Sequence, residues 1–150
     1  MTTKNPRKKS PLVTYKNNTA WPVFSRFIRL RDCIRSTGLK DYGICISCGK
    51  TLPRTLGQAG HFIPGRHNAN LYHEKGCHLQ CFNCNMNLGG NTLNYMDAIE
   101  ALYGDDIVEE LRENDKRTVK YTLEDLKAMV KDWRARIRVM EESQPKPRED

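Results

Sequence analysis

Two pairs of cysteines dominate the chemistry open to this chain: Cys45-Ile-Ser-Cys48 and Cys81-Phe-Asn-Cys84, thirty-two residues apart. Two residues between cysteines is the spacing of a metal knuckle, and two knuckles offer four thiolates to one tetrahedral Zn²⁺. Both pairs are complete, so a Cys₄ site is preferred to one that borrows a histidine. Such a zinc has no open position and is structural. Between the knuckles lies Gly60-His61-Phe62-Ile63-Pro64, and His78-Leu79-Gln80 leads into the second pair. A neutral imidazole is a good base near pH 7, and His61 is the candidate to take a proton from water. Phosphodiester hydrolysis also needs positive charge at the phosphorane and leaving oxygens. A closed zinc cannot supply it, so a second divalent ion, Mg²⁺ or Mn²⁺, is implied. Hard cations take oxygen ligands, with imidazole acceptable to Mn²⁺. His78, Asn85 and Asn91 are the candidates for that centre, and Asn91 reads equally as a helix cap. His67 and His73 read as exposed loop histidines.

These groups need a rigid mounting. Gln58 to Ile63 reads as a short strand carrying His61, with Pro64-Gly65 turning it and a polar loop over 66–76. Gly49 supplies the positive φ of the first knuckle turn. The second knuckle opens a short helix that Gly89-Gly90 stops. Upstream, a helix is expected from Thr19, with Pro22 in its first turn. Val23, Phe27, Leu30 and Ile34 form its apolar stripe, and Gly38 and Gly43 end it. Arg26 and Arg29 fall on the other side, free to face a polyanion. Arg31 and Arg35 project beside the apolar arc and either reach inward to a phosphate or lay their stems over apolar surface. Downstream, Thr92 caps a helix through Tyr103, and helical turns follow over 105–111. Thr122 and Asp125 resemble a capping box. The helix they start carries Leu123, Leu126, Val130, Trp133, Ile137 and Met140. This stripe either packs on the N-terminal helix or forms the seam of a homodimer over 123–140.

The chain has 150 residues and a net charge of +7. Residues 1–50 hold 11 Lys and Arg against 2 Asp and Glu, whereas residues 51–150 hold 14 against 16. The basic excess lies wholly in the first third, and a nucleic acid is the natural partner. Residues 1–18 read as a disordered basic arm, 19–141 as one domain and 142–150 as a tail. No apolar run approaches the roughly 18 residues of a membrane span. The basic N-terminus is followed by no apolar stretch, so no signal peptide is expected. Paired CxxC spacing argues for metal over three disulfides. Cys33, inside a helical pattern, reads as a small buried hydrophobe.

Taken in order, these motifs resemble the lambda NinG (Rap) family of phage recombination endonucleases, an HNH-like group. The likeness begins at Phe24-Ser25-Arg26-Phe27-Ile28-Arg29-Leu30-Arg31-Asp32. It continues through Cys45-Ile46-Ser47-Cys48-Gly49, Gly60-His61-Phe62-Ile63, Arg66-His67 and Glu74-Lys75. It then takes in His78-Leu79-Gln80-Cys81-Phe82-Asn83-Cys84-Asn85, Gly90-Asn91 and Tyr95, and covers roughly 20–140. The resemblance implies an α+β fold, with a treble-clef-like zinc core of the ββα-metal type flanked by N-terminal and C-terminal helices. It implies a metal-dependent endonuclease acting on branched DNA such as Holliday junctions and D-loops, in the cytoplasm of a phage host. A non-catalytic zinc module that binds branched DNA is the alternative. By position, His61 would be the base, with His78, Asn85 and Asn91 around it. Cys45, Cys48, Cys81 and Cys84 would hold zinc, and Arg26, Arg29, Arg31, Arg35 and Arg66 would contact DNA. The chain departs from the family at Gly76, where an asparagine that orients the base is usual, and near Leu71, where arginine is common. An amide restored at Gly76 is expected to orient the base better.

Overall fold

The N-terminal helical arm starts earlier than its sequence suggests. The computed structural model describes residues 5–65 and 68–144. Within them Ser10 caps a first turn, α1 (Pro11–Tyr15), its hydroxyl accepting from the Val13 amide at 3.3 Å. The chain then passes through a π-helical segment, Lys16–Ala20, into α2 (Trp21–Thr37) without a break. Residues 11–18, assigned above to a disordered arm, are therefore helical. The reason is tertiary: Leu12 and Tyr15 pack on the main core and Ala20 is fully buried in it. Gly38 ends α2 at φ 76°, a left-handed position that suits glycine.

Two antiparallel hairpins follow. The first pairs β1 (Tyr42–Ile44) with β2 (Thr51–Pro53). The second pairs β3 (Gln58–His61) with β4 (Cys77–Gln80), in a register that sets Gly60 opposite His78 and His61 opposite Cys77. After β4 the chain makes a π-helical turn, Asn83–Asn87. Three helices complete the fold: α3 (Thr92–Tyr103), α4 (Asp106–Asp115) and α5 (Leu123–Glu142). The capping box at Thr122 and Asp125 forms in both directions. This is the α+β fold expected, with helices flanking a small two-hairpin core.

The apolar stripe of α5 is covered within the chain. Leu126, Val130, Trp133 and Ile137 are buried against Phe24, Phe27 and Tyr72 in one cluster. Phe24 and Trp133 pack with ring centroids 4.9 Å apart. Arg136 lies over the Phe27 ring at 4.3 Å and pairs with Glu74 across the helices. A second copy could use this stripe only by displacing α2, which removes the basis for a dimer seam there. Trp133→Ala should accordingly cost about 3–5 kcal/mol of stability, as deletion of a buried indole does. Urea unfolding measures this. A decrease below about 1 kcal/mol, with dissociation of a dimer instead, would restore the seam.

Candidate active site and metal centre

The four knuckle cysteines converge. The Sγ atoms of Cys45, Cys48, Cys81 and Cys84 all lie within 4.8 Å of one another. Zn–S bonds of about 2.3 Å in a tetrahedron require S···S edges of roughly 3.8 Å. The Cys48–Cys81 separation is 3.9 Å. Backbone geometry supports the cage: the Cys45 amide donates to the Lys50 carbonyl at 2.8 Å, and Gly49 takes φ 74°. N–H groups point at sulfur. The Cys81 amide donates to Cys45 Sγ (3.3 Å), the Cys84 amide to Cys81 Sγ (3.4 Å) and Asn91 Nδ2 to Cys84 Sγ (3.4 Å). Such donors favour thiolate over thiol. The cluster can hold a zinc ion, and four thiolates would leave it no position for substrate. The remaining cysteines stand apart. Cys33 and Cys77 are fully buried, and burial pushes the Cys33 thiol up to about 11.

His61 stands elsewhere, on β3, in an open groove of about 840 Å³. Helical Lys16, Asn17 and Trp21 form one side of the groove, with Leu71 and Tyr72 also lining it. Asn85, Gly89 and Gly90 follow the second knuckle into it. The His61 ring stacks on Trp21 with centroids 5.3 Å apart. Its Nε2 lies 2.9 Å from the Leu71 carbonyl. A carbonyl only accepts, so Nε2 carries the proton and Nδ1 is the nitrogen able to take another. Burial holds the imidazole below its ordinary value, against a smaller opposite push from the Leu71 carbonyl. It is therefore neutral at pH 7.

The loop that presents this carbonyl is pinned by two asparagines that sequence patterns do not single out. Asn70, 1% exposed, donates from Nδ2 to the Leu111 carbonyl at 2.8 Å. Asn68 donates to the Pro64 carbonyl (3.1 Å) and to Asp115 Oδ1 (3.0 Å), and its own Oδ1 accepts the Asn70 amide at 2.8 Å. The orienting acceptor is thus Leu71, not position 76. Gly76 is buried, and a Cβ there would stand 2.8 Å from Leu111 Cδ2. The expectation that an amide at Gly76 improves the base has no support in this geometry: a side chain at the buried Gly76 points at Leu111 of α4, which would have to shift to admit it.

His78 does not join His61. It is fully buried on the other side of β4, in a charged network centred on Asp32. Asp32 Oδ2 accepts the Leu79 amide (2.8 Å) and lies 3.0 Å from His78 Nδ1. Asp32 Oδ1 pairs with Arg31 and Arg35, both at 2.8 Å. Arg31 also donates to the carbonyls of Glu74 (2.7 Å) and Cys77 (2.8 Å). Arg35 reaches Tyr103 Oη at 3.2 Å. Asp32, 2% exposed, needs these cations. The network therefore holds the largely buried Arg31 against β4 and pairs Arg35, which stays exposed, with Asp32, and it ties α2 to β4. An aspartate one residue from Cys33, within the apolar pattern of α2, is the signal that could have revealed it.

The other candidates are scattered. Asn85 faces the His61 groove, its Nδ2 donating to Gln58 Oε1 at 2.7 Å. Asn91 stands before α3 at φ 46° and turns to Cys84, so it belongs to the cysteine cage. Exposed Arg26 pairs with Glu141 at 2.7 Å. Half-buried Arg29 donates to the Ser25 carbonyl at 3.2 Å. Burial and then Arg54 lower the basicity of Arg29. Arg66, His67 and the tail beyond 144 lie outside the described residues.

A family model, bacteriophage lambda NinG protein, matches residues 4–143. The chain belongs to the NinG family. This family is linked to phage recombination. No curated protein and no solved structure matches the chain. Among the described residues of this NinG protein, no helix is long and apolar enough to cross a membrane.

The Asp32 network makes stability depend on pH. Its cations and the His78 contact hold the Asp32 carboxyl well below the usual carboxylate range, against the opposing effect of burial. Burial lowers His61 and His78. A lowered histidine leaves the unfolded chain binding more protons below its own pKa of about 6.5, so stability falls as pH drops through that value. A lowered aspartate adds a further decline below about pH 4. Urea midpoints followed from neutral pH down to about pH 3.5 should decline in those two stages. In Asp32→Asn the second stage should shrink, and stability at neutral pH should fall by about 3–5 kcal/mol, because cations are left unpaired.

Proposed function

We propose that this NinG protein is a divalent-metal-dependent endonuclease acting on branched DNA, with His61 as general base and the cysteine cage as a structural zinc site. The observation that carries the reading is the His61 geometry. Its imidazole is neutral, its Nε2 proton is anchored on the Leu71 carbonyl, and its proton-accepting Nδ1 belongs to a ring lining an open groove. Anchoring one nitrogen fixes the tautomer and the ring plane, which a base needs before it can take a proton from water. The hydroxide so formed attacks phosphorus, and the bond from phosphorus to the leaving oxygen breaks. A bound Mg²⁺ or Mn²⁺ would offset charge on the phosphate and leaving oxygens. Asn85, which lines the groove, is the residue that would hold it. Trp21 restrains the imidazole by stacking, and Lys16 adds a cation to the groove that receives the phosphate.

One observation favours the alternative, a zinc module that binds branched DNA without cutting it. Among the described residues that line the groove, none is a carboxylate. A labelled four-way junction and a matched duplex, incubated with purified protein in Mg²⁺, Mn²⁺ and EDTA, separate the two readings. Metal-dependent cutting of the junction supports the enzyme. Binding without cutting in either metal supports the module.

Affinity without sequence choice is assigned to the basic first third. Arg26 is exposed and Arg29 half-buried on α2. Arg26→Ala and Arg29→Ala should weaken binding to duplex and junction alike. Removing one arginine–phosphate pair should flatten the slope of log K against log salt by about 0.9. Unchanged slopes in both variants would move the footprint elsewhere.

A further inference from the structure

A second groove, of about 790 Å³, adjoins the one that holds His61. Gln58, at the start of β3, lines it, and Gln58 Oε1 accepts from Asn85 of the first groove at 2.7 Å. The mouth of this second groove is apolar. Leu56 and Phe82 line it and are 67% and 55% exposed. Met86, 59% exposed, follows Phe82 by four residues in the helical turn after the knuckle, a spacing that sets two side chains on one face. Scattered exposed hydrophobics need no explanation, but apolar side chains gathered at one groove mark an interaction surface. Phe82 is also held in place. It lies between Cys81 and Cys84 of the cage, in a turn that the Asn85 amide closes on the Cys81 carbonyl at 3.0 Å. A side chain on so constrained a turn loses little freedom on meeting a partner. The surrounding charge says which partner. From Gly43 to Met96 the sequence holds one acidic residue, Glu74, against Lys50, Arg54, Arg66 and Lys75. Glu74 is paired with Arg136 of α5. Exposed Lys50 lines the second groove, and no carboxylate does so among the described residues. An exposed ring beside a cation, with no acid near it in the chain, suits a polyanion that carries flat apolar groups, which is a nucleic acid with unpaired bases.

We infer that Phe82 is a stacking platform for an unpaired base of branched DNA, received in the groove between Phe82 and Leu56 with Lys50 facing its phosphate. This rests on the DNA-binding reading of the chain and deepens it by naming a residue that tells a branch from a duplex. In a duplex each base is covered by its neighbours and offers no face to a ring. Where strands part, an unpaired base does. Every base has such a face, so the platform selects structure and not sequence. From Gln58 to His61 the strand rises about 10 Å, roughly three stacked base steps. A base seated at Phe82 therefore leaves the adjoining backbone within reach of the His61 groove.

The test is binding of zinc-loaded protein to a splayed-arm fork and to a matched duplex, with no Mg²⁺ or Mn²⁺ added so that nothing is cut. The fork carries aminopurine, a fluorescent adenine analogue, at its first unpaired position. Wild type should quench the aminopurine and bind the fork more tightly than the duplex. Phe82→Ala should abolish the quench and leave duplex affinity unchanged. It should weaken fork binding by roughly 5- to 150-fold, the usual effect of removing one base–aromatic stack. Phe82→Trp should keep both the quench and the affinity. Phe82→Leu retains apolar bulk without a ring, so it keeps the test decisive if the alanine variant loses zinc; it too should lose the quench. Wild-type quenching and fork affinity in Phe82→Leu would overturn the inference. An equal loss on fork and duplex would overturn it as well, because that marks a general phosphate contact. The two readings fail separately. Wild type that binds both DNAs without any change in aminopurine fluorescence removes the platform and leaves the DNA reading in place. Wild type that binds neither removes the DNA reading and this site with it, and self-association lost in Phe82→Ala would then assign the patch to a second copy of the chain.

Discussion

Replacing His61 with alanine is expected to slow cleavage of a branched substrate by about 10²–10⁴-fold, the range over which a positioned general base acts. Zinc content, fold and junction affinity should stay close to wild type. The ring lies at a groove wall rather than in a core cluster, and its removal exposes no buried charge. Three features make this the largest single effect on rate. The ring is held by Trp21 stacking, its tautomer is set by the Leu71 carbonyl, and its neutrality comes from burial. The sign of the pH dependence follows. A base held below its ordinary value of about 6.5 stays unprotonated at lower pH than free histidine. The acid limb of the rate profile should therefore fall below about pH 6.5 and vanish in His61→Ala. Cleavage by His61→Ala at the wild-type rate would remove the histidine from the mechanism.

Removal of the cysteine cage is expected to be still more damaging to the fold. The apolar cluster around the knuckles holds only Cys33, Cys45, Leu52, Leu79 and Cys84, with Cys81 beside it. Two of its members, Leu52 and Leu79, are large aliphatic side chains, too few to hold the two knuckles together without a metal. Metal binding then supplies folding free energy, on the order of 10 kcal/mol in zinc-finger peptides. Cys81→Ser should unfold the two knuckles, 45–50 and 81–91, while Leu71 and Tyr72 stay packed in the α2–α5 cluster. Burial pushes the Cys84 thiol up to about 12 when no metal is bound, so binding must displace protons and zinc should be released in acid. Metal analysis and amide exchange across the knuckles measure both effects. Folded, zinc-free protein with protected knuckles would refute the structural zinc.

Much of this was legible in residue order, for reasons of local physics. A CxxC pair needs only its own turn to aim two sulfurs one way, so spacing alone announced the cage and its closure to substrate. The α5 capping box and the Gly38 stop are likewise decided within four or five residues. The charge asymmetry needs no structure at all. His61 was found because it sits on a strand between the two knuckles, and strand and knuckles are both short-range features.

Tertiary structure decided whatever depends on groups distant in the chain. His78 carries the same residue type as His61, and its motif made it a candidate for the metal centre beside that base. Only the packing of α2 against β4 brings Asp32, Arg31 and Arg35 around it and turns it into a buried strut. Arg31 is drawn into the fold for the same reason, since a buried carboxylate needs cations nearby, whereas Arg35 pairs with Asp32 and stays exposed. The covering of the α5 stripe by α2 was open in sequence, because a heptad pattern records that a face is apolar and not what covers it. The carbonyl that orients the base belongs to Leu71, and backbone atoms have no residue signature. What sequence determined about this protein is therefore its metal cage, its helix ends and its charge. Which histidine faces the groove, and which amides stand beside it, are decided by long-range packing that exists only once the chain has folded.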